Sequence, residues 1–342
     1  MYEQEKKEMK AISEHAGARL DYVQGGGGNT SVKFDDTIMA IKASGYTLIE
    51  VDEDKGYVTV DYKKIINDYL DIFSKKDIDI EKESLKVNLD SVKLLDGMEN
   101  KRPSVEVGFH SFLQKCVVHT HSTYSNILCC SEEGEAKAEE IFKNSGLGYF
   151  FIPFINPGLN LALYIKEGME KFKKENGKLA DIIFMESHGI ITANDDYEKA
   201  IQLHQTANDM IRDYFKTSNF PEAKIKKIED GYVGNTEFIK EFIKTHKADE
   251  TYFDKNTLYP DEMVYLGEKL GKTILIDVTT GEITYKIEEK QALLIEQIIL
   301  GAVFIIQEIE KAKMTLKPLC DEGRDFIKNW ESEKYRASLV SK

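Results

Sequence analysis

The feature that most constrains this chain is an apolar run that ends in two histidines one residue apart, Val117-Val118-His119-Thr120-His121. Such a run predicts a buried β-strand, in which alternate side chains point to the same face. The two imidazoles would then lie about 6.5 Å apart on one face, where they can bind a single cation. The alternative is a pair of partly buried, hydrogen-bonded histidines without a metal.

The composition is that of an ordinary soluble globular protein, with 42% hydrophobic and 31% charged residues in 342. The formal charge of -14 argues against a nucleic-acid partner, because affinity for phosphate backbones depends on clustered lysine and arginine. No run of about 18 apolar residues occurs, and residues 1–10 are rich in charge. The sequence therefore predicts neither a membrane span nor a secretory signal, and hence a cytoplasmic protein.

Hydrophobic periodicity predicts an α/β alternation in the centre of the chain. In the first hundred residues the expected elements are a helix over 1–20, a hairpin of strands 30–34 and 37–42, a helix from Asp61 and a short helix within 75–101. In the centre they are strands over 117–121 and 150–155, a helix over 161–172, strands over 182–185 and 190–192, and a helix from Asp195 to 215. Beyond these we expect a helix over 238–247, a hairpin at Thr280-Gly281 and a long helix over 290–313.

Two of these helices have predicted N-caps. Asp61 is the expected cap of a helix whose buried stripe is Ile65, Ile66, Leu70 and Phe73. Asp195, with Glu198 three residues later, resembles a capping box.

Loop residues at 217–221 mark the best candidate boundary between domains. We therefore expect a catalytic domain over 1–217 and a carboxy-terminal extension over 218–342. The extension has the patterns of folded structure but no recognisable chemistry. Covering the active site and widening a subunit interface are its two candidate roles.

Two further residues join the histidine pair as candidates for chemistry. Glu106 ends the segment PSVE at 103–106, and His188 lies in the segment ESHG at 186–189. Three neutral imidazoles plus an open position keep zinc available as a Lewis acid. Glu106 is a fourth ligand, a general acid/base or an exposed helix-start residue. His110, on the same helical face as Glu106, is the alternative ligand.

A glycine-rich loop, GGGGNTS at 25–31, offers free amides and hydroxyls that can bind an anion. A second small turn at Ser44-Gly45 adds further donors. The loop matches no nucleotide-binding motif, so a flexible hairpin connection is the alternative.

Taken together, these residues resemble the class II aldolase/adducin family, which includes sugar-phosphate aldolases, ribulose-phosphate 4-epimerase and methylthioribulose-phosphate dehydratase. The matching pieces, spread over residues 11–215, are GNTS at 28–31, KASG at 42–45, PSVE at 103–106, VHTH at 118–121 and HG at 188–189. The segment PFINPG at 153–158 is most similar to the aldolase portion of rhamnulose-phosphate aldolase/dehydrogenase proteins.

The resemblance implies a layered α/β fold with a largely antiparallel central sheet flanked by helices, to which this chain adds a smaller α+β extension. It also implies zinc held by His119, His121 and His188, a catalytic Glu106, and a homotetramer with the site between subunits. The residues implied to bind the phosphate of a small sugar-phosphate-like substrate are Gly28, Asn29, Ser44, Gly45 and Ser104.

The implied reaction is retro-aldol cleavage of a small ketose phosphate or related hydroxy-ketone, with zinc stabilising the enediolate and Glu106 exchanging its proton. Epimerases of the family carry aspartate where Glu106 stands, which favours carbon–carbon cleavage here. Val105 replaces a second hydroxyl residue of the well-known aldolases, which favours a different anion geometry or a non-phosphorylated substrate. The alternatives are a metal-dependent epimerase, dehydratase or decarboxylase, or a non-catalytic adducin-like assembly module, which would have lost the ligands.

Overall fold

A seven-stranded sheet forms the centre of the computed structural model, which describes residues 1–76, 78–95 and 97–330. Its strands are β1 (Asn29–Lys33), β2 (Ile38–Lys42), β3 (Tyr57–Asp61), β4 (Cys116–Thr120), β5 (Tyr149–Ile152), β6 (Ile182–Met185) and β7 (Gly189–Asn194). They lie in the order β3-β2-β1-β4-β7-β6-β5, and every neighbouring pair is antiparallel except β5 with β6. The predicted largely antiparallel sheet is confirmed.

Helices cover both faces of this sheet. They are α1 (Glu3–Gly17), α2 (Tyr62–Ser74), α3 (Ile80–Asp90), α4 (Val107–Phe112), α5 (Thr123–Cys129), α6 (Gly134–Phe142), α7 (Leu159–Asn176) and α8 (Tyr197–Phe215). On one face α1 and α8 pack against β4, and on the other α2, α4 and α7 enclose a second core. The layered architecture that the sequence predicts is therefore confirmed.

Strand β4 shows the alternation on which the histidine hypothesis depends. Val117 belongs to the core beneath α2, α4 and α7, whereas Cys116 and Val118 belong to the core beneath α1. The strand is central and wholly buried, with β1 on one side and β7 on the other. Its register places His119 opposite Asn29 of β1. The fold thus brings the end of β4 next to the glycine-rich loop.

The buried face of α2 differs from the predicted stripe. The helix does begin after Asp61, whose side chain accepts a hydrogen bond from a backbone amide of the first turn. However, Leu70 and Phe73 are 42% and 57% exposed. The predicted buried stripe is wrong because two tyrosines belong to the packed face. The hydroxyl of one of them, Tyr69, donates a hydrogen bond to Asn88. The side chains that are buried are Tyr62, Ile65, Tyr69 and Ile72.

The cap of α8 is one residue later than predicted. Asp196 is the N-cap, and its side chain accepts hydrogen bonds from the backbone amides of Glu198 and Lys199. Asp195 instead accepts a hydrogen bond of 3.1 Å from the backbone amide of Lys115, just before β4. Two adjacent aspartates therefore have separate structural roles, which spacing alone does not distinguish.

The carboxy-terminal region forms a second, smaller α+β structure, as expected. A four-stranded antiparallel sheet contains β8 (Ile225–Ile228), β9 (Gly231–Gly234), β10 (Ile274–Asp277) and β11 (Glu282–Tyr285). The helices are α9 (Glu237–His246), α10 (Glu250–Lys255), α11 (Pro260–Tyr265), α12 (Glu289–Lys311) and α13 (Asp321–Asn329). Ile127 and Cys130 at α5 join the core of this region, because α12 packs against α5. The domain boundary between 217 and 218 stays a prediction.

Helix α12 is, among the described residues, the one helix that is long and apolar enough to cross a membrane by length and composition. Of its most apolar stretch, 78% is buried inside the protein. Its contacts with α5, α9 and α11 account for that apolar character. The burial is that of a core helix.

Candidate metal centre

Three histidine rings from two parts of the sheet meet at one point. His119 lies in β4, His121 directly follows that strand, and His188 lies in the turn between β6 and β7. That turn reaches the end of β4 because β7 pairs with β4, and a Cβ atom on Gly189 would lie only 2.2 Å from the carbonyl oxygen of Thr120. The ring centroids are 5.0 Å apart in every pair, and one ligand atom of each ring lies within 4.8 Å of the others.

Hydrogen bonds fix the tautomers of two rings so that their lone pairs face each other. His119 Nδ1 is 3.0 Å from the carbonyl oxygen of Ile190, and His121 Nδ1 is 2.6 Å from Asp261 Oδ2. Both partners are acceptors, so each Nδ1 donates, and each Nε2 is left to bind a cation once it carries no proton. These Nε2 atoms are 3.2 Å apart, a separation that either a shared proton or a common metal ion can occupy. The donor set therefore fits a divalent cation.

Glu106 faces the same point. It is the N-cap residue of α4 and only 7% exposed, so the interpretation as an exposed helix-start residue is wrong. Its Oε2 lies 3.3 Å from His119 Nε2, and its Oε1 lies 3.1 Å from His188 Nε2. Burial raises the pKa of Glu106. Charge attraction to His119 and His188, together with hydrogen bonds from them, lowers it by a larger amount, so that the pKa lies well below its ordinary 4.5. The carboxylate is therefore ionised and within reach of a bound cation.

The neutral form of the His188 ring can bind a cation. Burial lowers the pKa of His188 to about 4, although Glu106 opposes that effect. A neutral imidazole does not have to lose a proton before it coordinates a metal. Burial thus favours the neutral form of His188, the form that coordinates a metal.

A chain of hydrogen bonds behind Glu106 engages both ring nitrogens of His110. Asn29 Nδ2 donates to Glu106 Oε2 at 2.6 Å and to Ser104 Oγ at 3.1 Å. His110 Nε2 donates to Asn29 Oδ1, and Ser31 Oγ donates to His110 Nδ1 at 2.7 Å. The alternative assignment of His110 as a metal ligand therefore does not hold. Its ring orients the Asn29 amide, which in turn holds Glu106.

A cavity of about 220 Å³ opens beside the three rings. Its walls include Glu106, His121 and His188, while His119 lies fully buried behind them. The five predicted substrate-contacting residues also border it: Gly28, Asn29, Ser44, Gly45 and Ser104. The structure thus brings every predicted site residue to one place.

Two lysines add positive charge to this cavity. Lys42 is 5% exposed, and its Nζ donates to the carbonyl oxygens of Tyr46 at 2.8 Å and Gly26 at 3.3 Å. Lys290, on α12, lies on the wall near Glu50. Glu50 and Glu106 line the cavity as well, so the lysines and small hydroxyls offer local donors for an anionic group and not a uniformly cationic wall.

The carboxy-terminal region, in which the sequence offers no recognisable chemistry, forms one wall of the cavity. Asp261 of α11 contacts a histidine of the metal group directly. No local motif marks this residue, because a lone aspartate after a proline is typical of any helix start. The residues of this region that line the cavity are Pro260, Tyr265, Lys290, Gln291 and Leu294.

Comparison with known proteins identifies related sequences and structures. Residues 7–215 match the class II aldolase and adducin N-terminal domain. The chain is 30% identical over 203 residues to the uncharacterized oxidoreductase YuxG of Bacillus subtilis (strain 168), covering 55% of this chain and 27% of that protein. This chain thus spans about a quarter of the length of that curated relative.

Two solved structures are also similar. The N-terminal class II aldolase domain of a conserved protein from Thermoplasma acidophilum is 25% identical, with a TM-score of 0.49, covering 60% of this chain and 92% of that one. A sugar-phosphate aldolase from Thermotoga maritima is 18% identical, with a TM-score of 0.42, covering 63% and 98%. By the match over residues 7–215, this chain belongs to the class II aldolase and adducin N-terminal domain family.

Proposed function

We propose that this protein is a zinc-dependent aldehyde-lyase that cleaves a small ketose phosphate or related hydroxy-ketone by a retro-aldol reaction. The observation that carries the proposal is the convergence of three buried histidine rings and one buried carboxyl group beside a cavity. Structural zinc sites are usually closed by four protein ligands, whereas three histidines leave a position for substrate. An assembly module without catalysis has no need of this set.

In the proposed site, His119, His121 and His188 would hold the cation, with the Glu106 carboxylate beside it. The bound cation supplies the positive charge that the substrate oxygens, and the enediolate left by cleavage between the third and fourth carbons, require. Zinc is the favoured metal because a set of three imidazoles with a carboxylate beside them suits it well. The burial of the three rings excludes water from all but the cavity side.

Glu106 is the proposed proton carrier. Its Oε2 accepts the Asn29 hydrogen bond and its Oε1 lies 3.1 Å from His188 Nε2, and the carboxylate as a whole is assigned to proton transfer at the enediolate carbon. The depressed pKa keeps this carboxylate ionised before the proton arrives. Asn29 fixes the direction of the carboxylate throughout, since its amide oxygen is held by His110.

The proposed substrate has an anionic end bound away from the metal. Lys42, Ser44 and Gly45 border the cavity, together with Gly26 and Gly28 of the glycine-rich loop, and are the residues proposed to bind this end. Val105 also lines the cavity and its side chain offers no hydrogen bond, which limits the number of donors for a phosphate.

A homotetramer, the arrangement implied by the resemblance, is part of the proposal.

The proposal is tested by measuring the metal content of the purified protein and screening sugar phosphates and hydroxy-ketones for cleavage by NMR in deuterated water. We expect about one zinc per chain and two carbon fragments from one substrate. Glu106→Gln should lower the rate by about 10²- to 10⁴-fold while the three histidines retain the metal.

Glu262→Gln is the matched control, because Glu262 is also a buried glutamate but does not border the cavity. It should leave the rate unchanged. Metal-loaded protein that cleaves none of the compounds contradicts the proposal. A single product without fragmentation would assign the site to epimerisation or dehydration instead.

A further inference from the structure

Asp261 places a buried carboxylate directly behind one of the three histidines. Its side chain is fully buried, and Oδ2 is 2.6 Å from His121 Nδ1. It is the second residue of α11, in the carboxy-terminal region and outside the family domain at 7–215. One histidine of the candidate centre therefore takes its hydrogen-bond partner from a different part of the chain.

We propose that Asp261 is a positioning residue for the metal centre, acting through His121. This inference rests on the metal site of the proposed function. By accepting a hydrogen bond from Nδ1, the carboxylate fixes the tautomer that presents Nε2, holds the ring in place and makes the imidazole a stronger electron-pair donor to a metal. The region beyond residue 217 thereby becomes part of the active site rather than an appendage.

The glycine-rich loop makes this contact possible. A Cβ atom on Gly27 would lie 2.2 Å from Asp261 Oδ2 and 3.1 Å from His121 Nδ1. A Cβ atom on Gly26 would lie 2.5 Å from the hydroxyl oxygen of Tyr265, and one on Gly25 would lie 3.2 Å from Leu294. Three successive glycines thus leave space for side chains of the carboxy-terminal region, which is independent evidence that this approach is built into the fold.

The other hydrogen-bonded ligand provides an internal comparison. His119 donates its Nδ1 proton to the backbone carbonyl of Ile190, a neutral acceptor within the family domain. A carboxylate stabilises the developing positive charge on a metal-bound imidazole more than a carbonyl does. His121 is therefore the ligand whose donor strength depends on a single replaceable side chain.

The test uses full-length protein and Co²⁺ as the probe, with affinity measured by competition against a chelator and geometry measured by the visible absorption band of bound Co²⁺. Asp261→Asn should weaken Co²⁺ binding about 10- to 100-fold and shift the absorption band. Glu262→Gln, at the neighbouring buried carboxyl, should change neither. Gly27→Ala, which displaces Asp261 while keeping its charge, should weaken binding in the same direction.

Wild-type affinity and an unshifted band in Asp261→Asn would overturn the inference while leaving the metal centre intact. Equal weakening by Glu262→Gln would show a general effect of disturbing α11 and would overturn it as well. Wild-type protein that takes up no Co²⁺ would overturn the proposed centre itself, and this inference with it. Far-ultraviolet circular dichroism confirms that each variant is folded.

Discussion

Two buried glutamates in this protein differ in ionisation because of their neighbours. Glu106 lies between His119 and His188, which hold its pKa well below the ordinary value despite burial. Glu262 is equally enclosed, but its partners are backbone amides, and burial raises its pKa to about 8. The sequence does not distinguish the ionisation of these two glutamates, because the charges that surround each carboxyl in the folded protein decide whether it is ionised.

Glu262 makes the stability of the protein depend on pH. Between its ordinary pKa of 4.5 and its folded pKa of about 8, the carboxyl is protonated in the folded protein and ionised in the unfolded chain. Unfolding then releases a proton, so the contribution is fully present below pH 4.5 and is lost as the pH rises towards 8. Its slope approaches about 1.4 kcal/mol per pH unit.

We therefore expect Glu262→Gln to flatten the fall in unfolding free energy between pH 5 and 8. Urea denaturation at several pH values measures this slope. Glutamine preserves the acceptor for the backbone amide of Leu258 and cannot ionise, so packing is matched. An unchanged slope would show that Glu262 is ionised in the folded protein.

Helix α2 shows how a helical pattern can be assigned to the wrong face. Apolar residues at 65, 66, 70 and 73 fit a helical stripe, but the packed face runs through 62, 65, 69 and 72. Tyrosine can be buried when its hydroxyl finds a partner, as Tyr69 does with Asn88. The period was predictable, while the phase depended on which side chains meet α4 and the sheet.

Adjacent residues of α2 supply the corresponding prediction. Ile72→Ala should lower the unfolding free energy by about 2–5 kcal/mol, because Ile72 is 4% exposed and its loss leaves a cavity. Phe73→Ala, the matched control, should change it by no more than about 0.5 kcal/mol, because Phe73 is 57% exposed. Urea denaturation measures both, and a reversed ranking would restore the original stripe.

Across the whole molecule, the metal centre and the carboxy-terminal region meet at the glycine-rich loop. Gly27→Ala should lower the unfolding free energy by about 1–3 kcal/mol, because its Cβ overlaps the Asp261 carboxylate and something must shift. Gly267→Ala is the control, since a Cβ there meets nothing within 4 Å. It should be neutral or stabilise by up to about 1 kcal/mol.

Chemical denaturation distinguishes these outcomes. If the two glycine variants were equally stable, the loop would not be a tight contact, and the carboxy-terminal region would pack only loosely against the site.

The cytoplasmic location, the homotetramer and the lack of a nucleic-acid partner stay predictions from the sequence.

The histidine pair, Glu106 and the loop and turn residues were identifiable from the sequence because their chemistry is local. Strand alternation places His119 and His121 together whatever surrounds them. The ordered motifs over residues 11–215 likewise define the family and the antiparallel layered fold. Each of these inferences needs only neighbouring residues or a fixed order along the chain.

Asp261 and Lys290 could not be found in this way, since each acquires its role from a contact with residues far away in sequence. Asp261 is 140 residues from His121, and no periodicity links the two. The same holds for the tautomers, the ionisation of Glu106 and the phase of α2, which depend on burial and on the charges brought close by packing. Sequence alone determined which side chains are available for the chemistry. Tertiary structure decided which of them meet, because hydrogen bonds and electrostatic effects act across distances that only folding closes.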